Sequence, residues 1–499
     1  MRVVFLGFAA EQVGVELLSA ELKAAGHDVR LVYHPSLFDD RFQLRLPRLA
    51  RAFDRRDALI RDAVALAPDV LAFSALTATW RDGRDLLAAI RAQTGCKVVV
   101  GGVHASAVPG RVIAEDCVDA VVVGEGDHAL PTLLHSLAHG DGHTPIENVW
   151  FKAPDGTVVR GPQAGFIQDL DALPFPDKEL YAEEVDVRRP YMTLTGRGCP
   201  YRCTFCFNNY WARLPARSGV KGGRYVRQRS VENVIGELRR AKARWGIRYV
   251  DFQDDVFTVD KAWVRRFLDA YRREVGLPWM CLTHPKYVDE DIVRWMKEAG
   301  CTWVQVGIQS VDEHYKARSM KRHETVGDVA WAIDAFRAAG IGVRGDHIFG
   351  AAGEPAGSQE AARRFYAEHT PSRISTYWMT YLPGVEITAE ALARGDLDAA
   401  AVERIERGEG DAFHGWGTVA PDDDRATLAA YEALFRLMPA VPAPLRVRVP
   451  ASAFARVPPG ALKALSTAGD LAIGLAQRNP NHLQFARYYL RQLAKHATG

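Results

Sequence analysis

The chain has 499 residues, 48% of them hydrophobic and 25% charged, with a formal net charge of +2. Such a length suits roughly two to four domains, and a near-neutral balance gives no global field to recruit nucleic acid or an anionic membrane. Seven cysteines with three in one loop do not make a disulfide framework, and no apolar run approaches a membrane span. The first residues enter a strand pattern at once, without a signal-peptide layout, so a reducing, cytoplasmic setting is expected.

Over residues 1–140, short apolar runs at 3–8, 29–33, 70–74, 98–101 and 120–123 alternate with helical patterns. Val13, Leu17, Ala20 and Ala24 recur at helical spacing, and Gly26 stands where such a helix would stop. Alternation of this kind predicts a parallel, doubly wound, Rossmann-like sheet with any ligand at the carboxyl ends of its strands. Those ends carry Ser74, Leu76, Thr77, Thr79 and Trp80, then Gly101, Gly102 and His104, then Gly124, Glu125 and Gly126. The turn from Gly7 to Gly14 lacks GxGxxG, which argues against a dinucleotide. His104 reads equally well as an ordinary polar loop residue.

Residues 141–190 lose the alternation and read as a linker. Runs at 148–153 and 157–161 flank Pro154-Asp155-Gly156, a hairpin signal, and a proline-punctuated connector follows. A short strand-like run and the turn Gly196-Arg197-Gly198 then lead into Cys199-Pro-Tyr-Arg-Cys203-Thr-Phe-Cys206. One loop can wrap three such thiolates around an iron–sulfur cubane, whose usual ligand set has four cysteines. The other cysteines, Cys96, Cys117, Cys281 and Cys301, are scattered, so one iron is left without a protein ligand. A structural zinc site would need four ligands, typically in Cys-x-x-Cys pairs, and no partner pair exists.

CxxxCxxC after a strand, with Phe205 before the last cysteine, resembles the motif of radical S-adenosylmethionine (SAM) enzymes. With Gly101-Gly-Val-His104 and Gly124-Glu-Gly-Asp127 upstream, the chain resembles their cobalamin-dependent, B12-binding branch of the class B methylase type. The resemblance implies a [4Fe–4S] cluster on Cys199, Cys203 and Cys206, with SAM on the open iron. SAM would be cleaved reductively to a 5′-deoxyadenosyl radical. It also implies cobalamin over the strand ends of the first domain, its tail passing Gly101 and Gly102. The sequence has no DxHxxG, so Leu76 or Trp80 is expected to face the lower side of cobalt.

From residue 191 the strand–helix alternation restarts and runs six times, with strands at 192–196, 248–252, 279–282, 302–306, 341–349 and 374–380. Gly246, Gly300 and Gly340 each follow a helix end. Six units predict a partial (β/α)6 TIM-type barrel over 191–385, with chemistry at the carboxyl strand ends. By resemblance the SAM contacts fall on Asp254 and Asp255, Thr283 and His284, Gln309 (where many relatives have glutamate), Arg344, Glu354 and Phe205. Barrel packing is the alternative role for each. Tyr377, Trp378 and Tyr381 at the last strand end are catalytic candidates.

The basic run Arg213, Arg217, Lys221, Arg224, Arg227 and Arg229 is either a solvated loop or a dock for an acidic electron donor such as flavodoxin or ferredoxin. Residues 386–499 turn helical and are expected to cap the barrel mouth, with His414 and Trp416 as candidates for substrate contact or packing. The terminal helix, with Arg487, Arg491 and Lys495, reads as an amphipathic surface helix. The expected function is methylation of an unactivated carbon of a small-molecule substrate, with no nucleic-acid or membrane partner. The alternatives are a cyclase, rearrangement or oxidation enzyme with the same cofactors, or a non-catalytic corrinoid or iron–sulfur sensor.

Overall fold

The computed structural model describes residues 1–39, 46–140, 144–351, 353–409, 422–454 and 456–498. In the first sheet β1 (Arg2–Phe8), β2 (Asp28–His34), β3 (Val70–Ser74), β4 (Lys97–Gly101) and β5 (Ala120–Val122) are parallel, in the order β2-β1-β3-β4-β5. Successive side chains alternate between its faces. Val3, Phe5, Ala72, Val99 and Val122 pack under the helices Val13–Ala24 and Ala129–His139. Val4, Leu6, Leu71, Phe73 and Val100 pack under Arg56–Ala65 and Thr77–Thr94. Helices on both sides are why these strands read as unbroken apolar runs rather than alternating ones.

The hairpin assigned to the linker extends this sheet instead. β6 (Val149–Lys152) runs antiparallel to β5, and β7 (Val158–Arg160) antiparallel to β6. Its register places Phe151 opposite Ala120, so the hairpin covers an edge that would otherwise expose unpaired backbone groups.

The second sheet starts with β8 (Tyr191–Thr193), followed by a two-residue ladder of β9 (Gly196–Arg197) with β10 (Arg227–Gln228). It continues with β11 (Val250–Phe252), β12 (Trp279–Thr283), β13 (Cys301–Gln309), β14 (Gly342–Phe349) and β15 (Arg373–Trp378). The order β15-β14-β13-β12-β11-β8 leaves β8 and β15 as edges of an open barrel. Val250, Phe252, Val304, Val306, Val343 and Ile374 point outward into the largest core, under the surrounding helices. The alternate positions Asp251, Gln305, Arg344, Asp346, Ser375 and Tyr377 face the interior and form a polar layer, in which Gln305 donates to Asp346 at 2.6 Å.

Five outer helices follow the first five barrel strands, and the sixth place is filled by Asp422–Leu437. Its Glu432 accepts from Thr376 Oγ1 at 3.2 Å and Trp378 Nε1 at 3.0 Å, both on the outer face of β15. The C-terminal region is therefore partly barrel wall and not only a cap. His414 and Trp416 lie outside the described residues. Pro480–Thr498, read as a surface helix, lies beside the β8 edge and is pinned to the first domain and the connector. Tyr488 donates to Pro35 O at 2.7 Å, and Arg491 to Ala182 O at 2.7 Å.

Candidate functional site

The cysteine loop is fixed at three points. Asp254, at the end of β11, accepts from the backbone N–H of Thr195 at 3.0 Å and from its hydroxyl at 2.8 Å, which sets the exit of β8. Gly198 has φ +91, and a Cβ there would lie 2.4 Å from Tyr225 O, so only glycine fits the approach to Cys199. Midway, Thr204 donates through its hydroxyl to Ser319 O at 2.6 Å and through its N–H to Met320 O at 3.2 Å. The three thiols form no disulfide. Burial pushes Cys199 up to about 12 and Cys206 up to about 11. Burial raises Cys203 too, while the Arg322 guanidinium, 4.0 Å from its sulfur, opposes the rise.

Arg322 is held by Glu324 at 2.8 Å and donates to Gly307 O at 2.7 Å. Lys316 at 3.2 Å and His284 at 3.4 Å converge on the same carboxylate, whose pKa the hydrogen bonds and flanking cations hold far below the usual range, so it stays ionised. No spacing in the sequence marks Arg322 or Glu324. Among the described residues no three Cys, His, Asp or Glu side chains converge closely enough to hold a single metal ion. Three free thiols on one loop, backed by a cation, are a donor set that would hold an iron–sulfur cluster.

In the first domain a cavity of about 310 Å³ runs down one face of the sheet between Phe5, Ala72, Val99 and Val122 and the helix residues Leu17, Leu18 and Leu130. Ser74, Gly101, Gly102 and the Gly124–Asp127 segment line it, and it continues to Gly198, just before the cysteine loop, and to Asn208 and Trp211 in the short helix after it. Gly101 meets nothing nearer than Val122 at 3.6 Å, which leaves that wall open to a ligand. Gly102 is dictated by the fold, with φ +88 and Ala75 backbone 2.9 Å from where a Cβ would sit. A largely apolar cavity beside a parallel sheet, lined by glycines at the carboxyl strand ends, fits a nucleotide-tailed corrinoid.

Two family models match the chain: the B12 binding domain over residues 3–134 and the radical SAM superfamily over 193–365. The chain belongs to the B12-binding radical SAM family. A B12-binding domain takes cobalamin, and a radical SAM domain takes a [4Fe–4S] cluster and SAM. The relatives include an uncharacterized methyltransferase of Pyrococcus horikoshii, 28% identical over 318 residues, and the cytidylyl-2-hydroxyethylphosphonate methyltransferase of Streptomyces wedmorensis, 24% identical over 434 residues. The first match spans 62% of either chain, the second 77% of this chain and 78% of the relative. The fold is shared with OxsB, a cobalamin-dependent SAM radical enzyme solved with aqua-cobalamin and SAM. Its TM-score is 0.65 at 15% identity, covering 99% of this chain and 75% of that one. It is shared also with TsrM of Kitasatospora setae, at a TM-score of 0.61 and 17% identity, covering 79% and 75%.

Around these two sites of the B12-binding radical SAM chain the expected residues separate. Of the acidic pair, Asp255 faces the cysteine loop and accepts from Asn208 at 2.8 Å. Asp254 is taken up by Thr195, and burial lifts it to about 6. Thr283 is buried against Thr258 at 2.5 Å, and His284 stacks on Tyr201 at 3.9 Å behind the loop. Gln309 ends β13 after a bulge, with φ +64, a left-handed backbone that a non-glycine side chain adopts at a cost. Arg344 lies deeper in the barrel, bonded to Ser375 at 2.8 Å and to the Tyr377 hydroxyl. Glu354 accepts from Gln359 at 2.9 Å, and burial lifts it to about 7. Phe205 packs beside Ile348 and Met379.

Side-chain direction separates the remaining candidates. Trp378 points out of the barrel to Glu432, and Tyr381 is buried in an apolar cluster with Tyr315 and Met379, so of the three aromatics only Tyr377 faces the interior. Trp80 is 2% exposed and stacks on the buried His104 at 5.4 Å, because the helix begins at Thr77 and turns it inward. Thr77 follows it, with its hydroxyl 3.2 Å from His104 Nδ1, and Thr79 turns back on Leu76 at 3.3 Å, leaving Leu76 45% exposed at the strand end. Glu125 is not free for a ligand: it pairs with Arg227 at 2.8 Å and accepts from Ile167 N–H at 2.8 Å.

Proposed function

We propose that the chain is a cobalamin-dependent methyltransferase that modifies an unactivated carbon of a small molecule. The observation that carries this reading is one cavity that joins the glycine-lined strand ends of the B12-binding sheet to Gly198 and Asn208, on either side of the cysteine loop. When bound, the cluster and SAM supply a carbon-centred radical and cobalamin a transferable methyl group. Cys199, Cys203 and Cys206 would hold the cluster, and Asp255 would pair with the SAM ammonium. Gln309 would hydrogen-bond the ribose, with Phe205 beside adenine. Leu76 would cover the lower cobalt face without ligating it. The Arg322 guanidinium lies at the buried cysteine sulfur, where it would offset thiolate charge in a low-dielectric site. Two methyltransferases among the relatives support the reading.

A second reading has its own support. The anaerobic magnesium-protoporphyrin IX monomethyl ester cyclase of Rubrivivax gelatinosus is 24% identical over 344 residues. Product mass separates the two, since methylation adds one CH2 and cyclisation does not. As electron entry we infer an acidic donor such as flavodoxin or ferredoxin at the exposed Arg213, Arg217, Lys221 and Arg224, in a reducing cytoplasm. Arg227 and Arg229 are not part of that surface, being paired internally with Glu125 and Glu237. No helix among the described residues is long and apolar enough to cross a membrane.

The test is anaerobic reconstitution with iron, sulfide and hydroxocobalamin, followed by metal and corrinoid quantification. Reductant-dependent 5′-deoxyadenosine is expected from the wild type. Cys203→Ala should lose both the brown cluster absorbance and SAM cleavage, and persistence of cleavage would overturn the ligand assignment.

A further inference from the structure

A second cavity of about 310 Å³ lies apart from the cofactor cleft, where the helix Pro480–Thr498 crosses the open edge of the barrel at β8. Asp251 enters it from β11. This side chain is 3% exposed, and its Oδ1 has no hydrogen-bond partner among the described residues. A buried carboxylate oxygen left unpaired is costly, so the position is built for a donor that is not part of the fold. The other acids of the cavity wall already have partners, Glu11 with Lys178 at 2.5 Å and Asp186 with Arg188 at 2.8 Å.

Arg189 and Arg487 also line the cavity, and neither has an ion pair or side-chain hydrogen bond among the described residues. Burial lifts Asp251 to about 7, opposed by the neighbouring Gln253 side chain and then by Arg344, and an incoming cation at the unpaired Oδ1 would oppose it further. A concave site with a buried acceptor and two uncommitted guanidinium groups is matched by a ligand carrying both charges.

We propose that this cavity anchors the zwitterionic end of the acceptor substrate, with an anionic group on Arg189 and Arg487 and an ammonium on Asp251. Calling the ligand the acceptor rests on the methyltransferase reading; the pocket itself does not. Binding is tested by calorimetry on the full chain with no cofactor added. The probes are O-phosphoethanolamine and 4-aminobutyrate, which distinguish a phosphate from a carboxylate, against the half-molecules inorganic phosphate, acetate and ethylamine. One zwitterion should bind at least ten-fold more tightly than its halves. Arg487→Gln and Asp251→Asn should each weaken it at least ten-fold, and Arg487→Gln, on the outer helix, should keep the wild-type unfolding midpoint. Zwitterions no tighter than their halves, or affinities unchanged in the variants, would overturn the pocket. Methylation without zwitterion binding would sink this proposal alone; zwitterion binding with a turned-over product lacking CH2 would sink only the methylation reading.

Discussion

His347 lies on the outer face of β14 between the Tyr366 hydroxyl at 3.0 Å and the Gln359 amide oxygen at 2.9 Å, and burial holds it down to about 4. The unfolded chain therefore binds a proton that the folded chain does not, between the ordinary histidine value and about 4. Stability should be full above pH 7 and fall as pH drops through that window, by up to about 3 kcal/mol from this residue. Urea unfolding from pH 7.5 to 5 should show the loss, and His347→Gln should flatten the slope; an unchanged slope would assign the effect elsewhere, with His104 next in line. Neither role was legible in the sequence. The cysteine triplet was, because its three thiols are neighbours along the chain. Asp254 and Asp255 are neighbours as well, yet which one reaches the cysteine loop depends on how β11 ends, and Thr195 decides it.

Among elements, the strand–helix alternation and its glycine stops were readable because they are local: Gly246 and Gly340 adopt the left-handed conformation that ends a helix. The helix Pro480–Thr498 was readable as amphipathic but not in its placement, because periodicity says that a face is buried and not against what. Here that face meets β2 and the connector, with Tyr488 donating to Pro35 O and meeting the Tyr33 hydroxyl at 3.1 Å. Tyr488→Phe removes a donor from a half-buried acceptor and should cost about 1 kcal/mol. Thermal unfolding would register that as a small fall in midpoint, and no change would mean that solvent replaces the bond.

Across the whole molecule, the two sheets are joined at the segment that precedes the cysteines. Arg197 makes a forked pair with Asp127 at 2.8 and 2.9 Å, and Arg227 holds Glu125, so the ladder of β9 and β10 grips the last glycine turn of the first sheet. Breaking one partner of a mostly buried pair leaves its charge uncompensated, at a cost of about 3–5 kcal/mol. Arg197→Met should therefore split unfolding into two transitions, with the first sheet melting separately. A single transition at the wild-type midpoint would show that the clamp does not couple the layers.

By itself the sequence determined the three-cysteine loop, the doubly wound sheet, the six-unit barrel and the family resemblance, because short-range spacing and strand periodicity encode each of them. Only the tertiary structure decided that the hairpin extends the first sheet, that Glu125 serves a clamp, that Trp80 stacks on His104 and Trp378 bonds Glu432, and that Asp251 opens into a second cavity. Those outcomes depend on which way a side chain points and what distant segment it meets, and neither is fixed until the chain has folded back on itself.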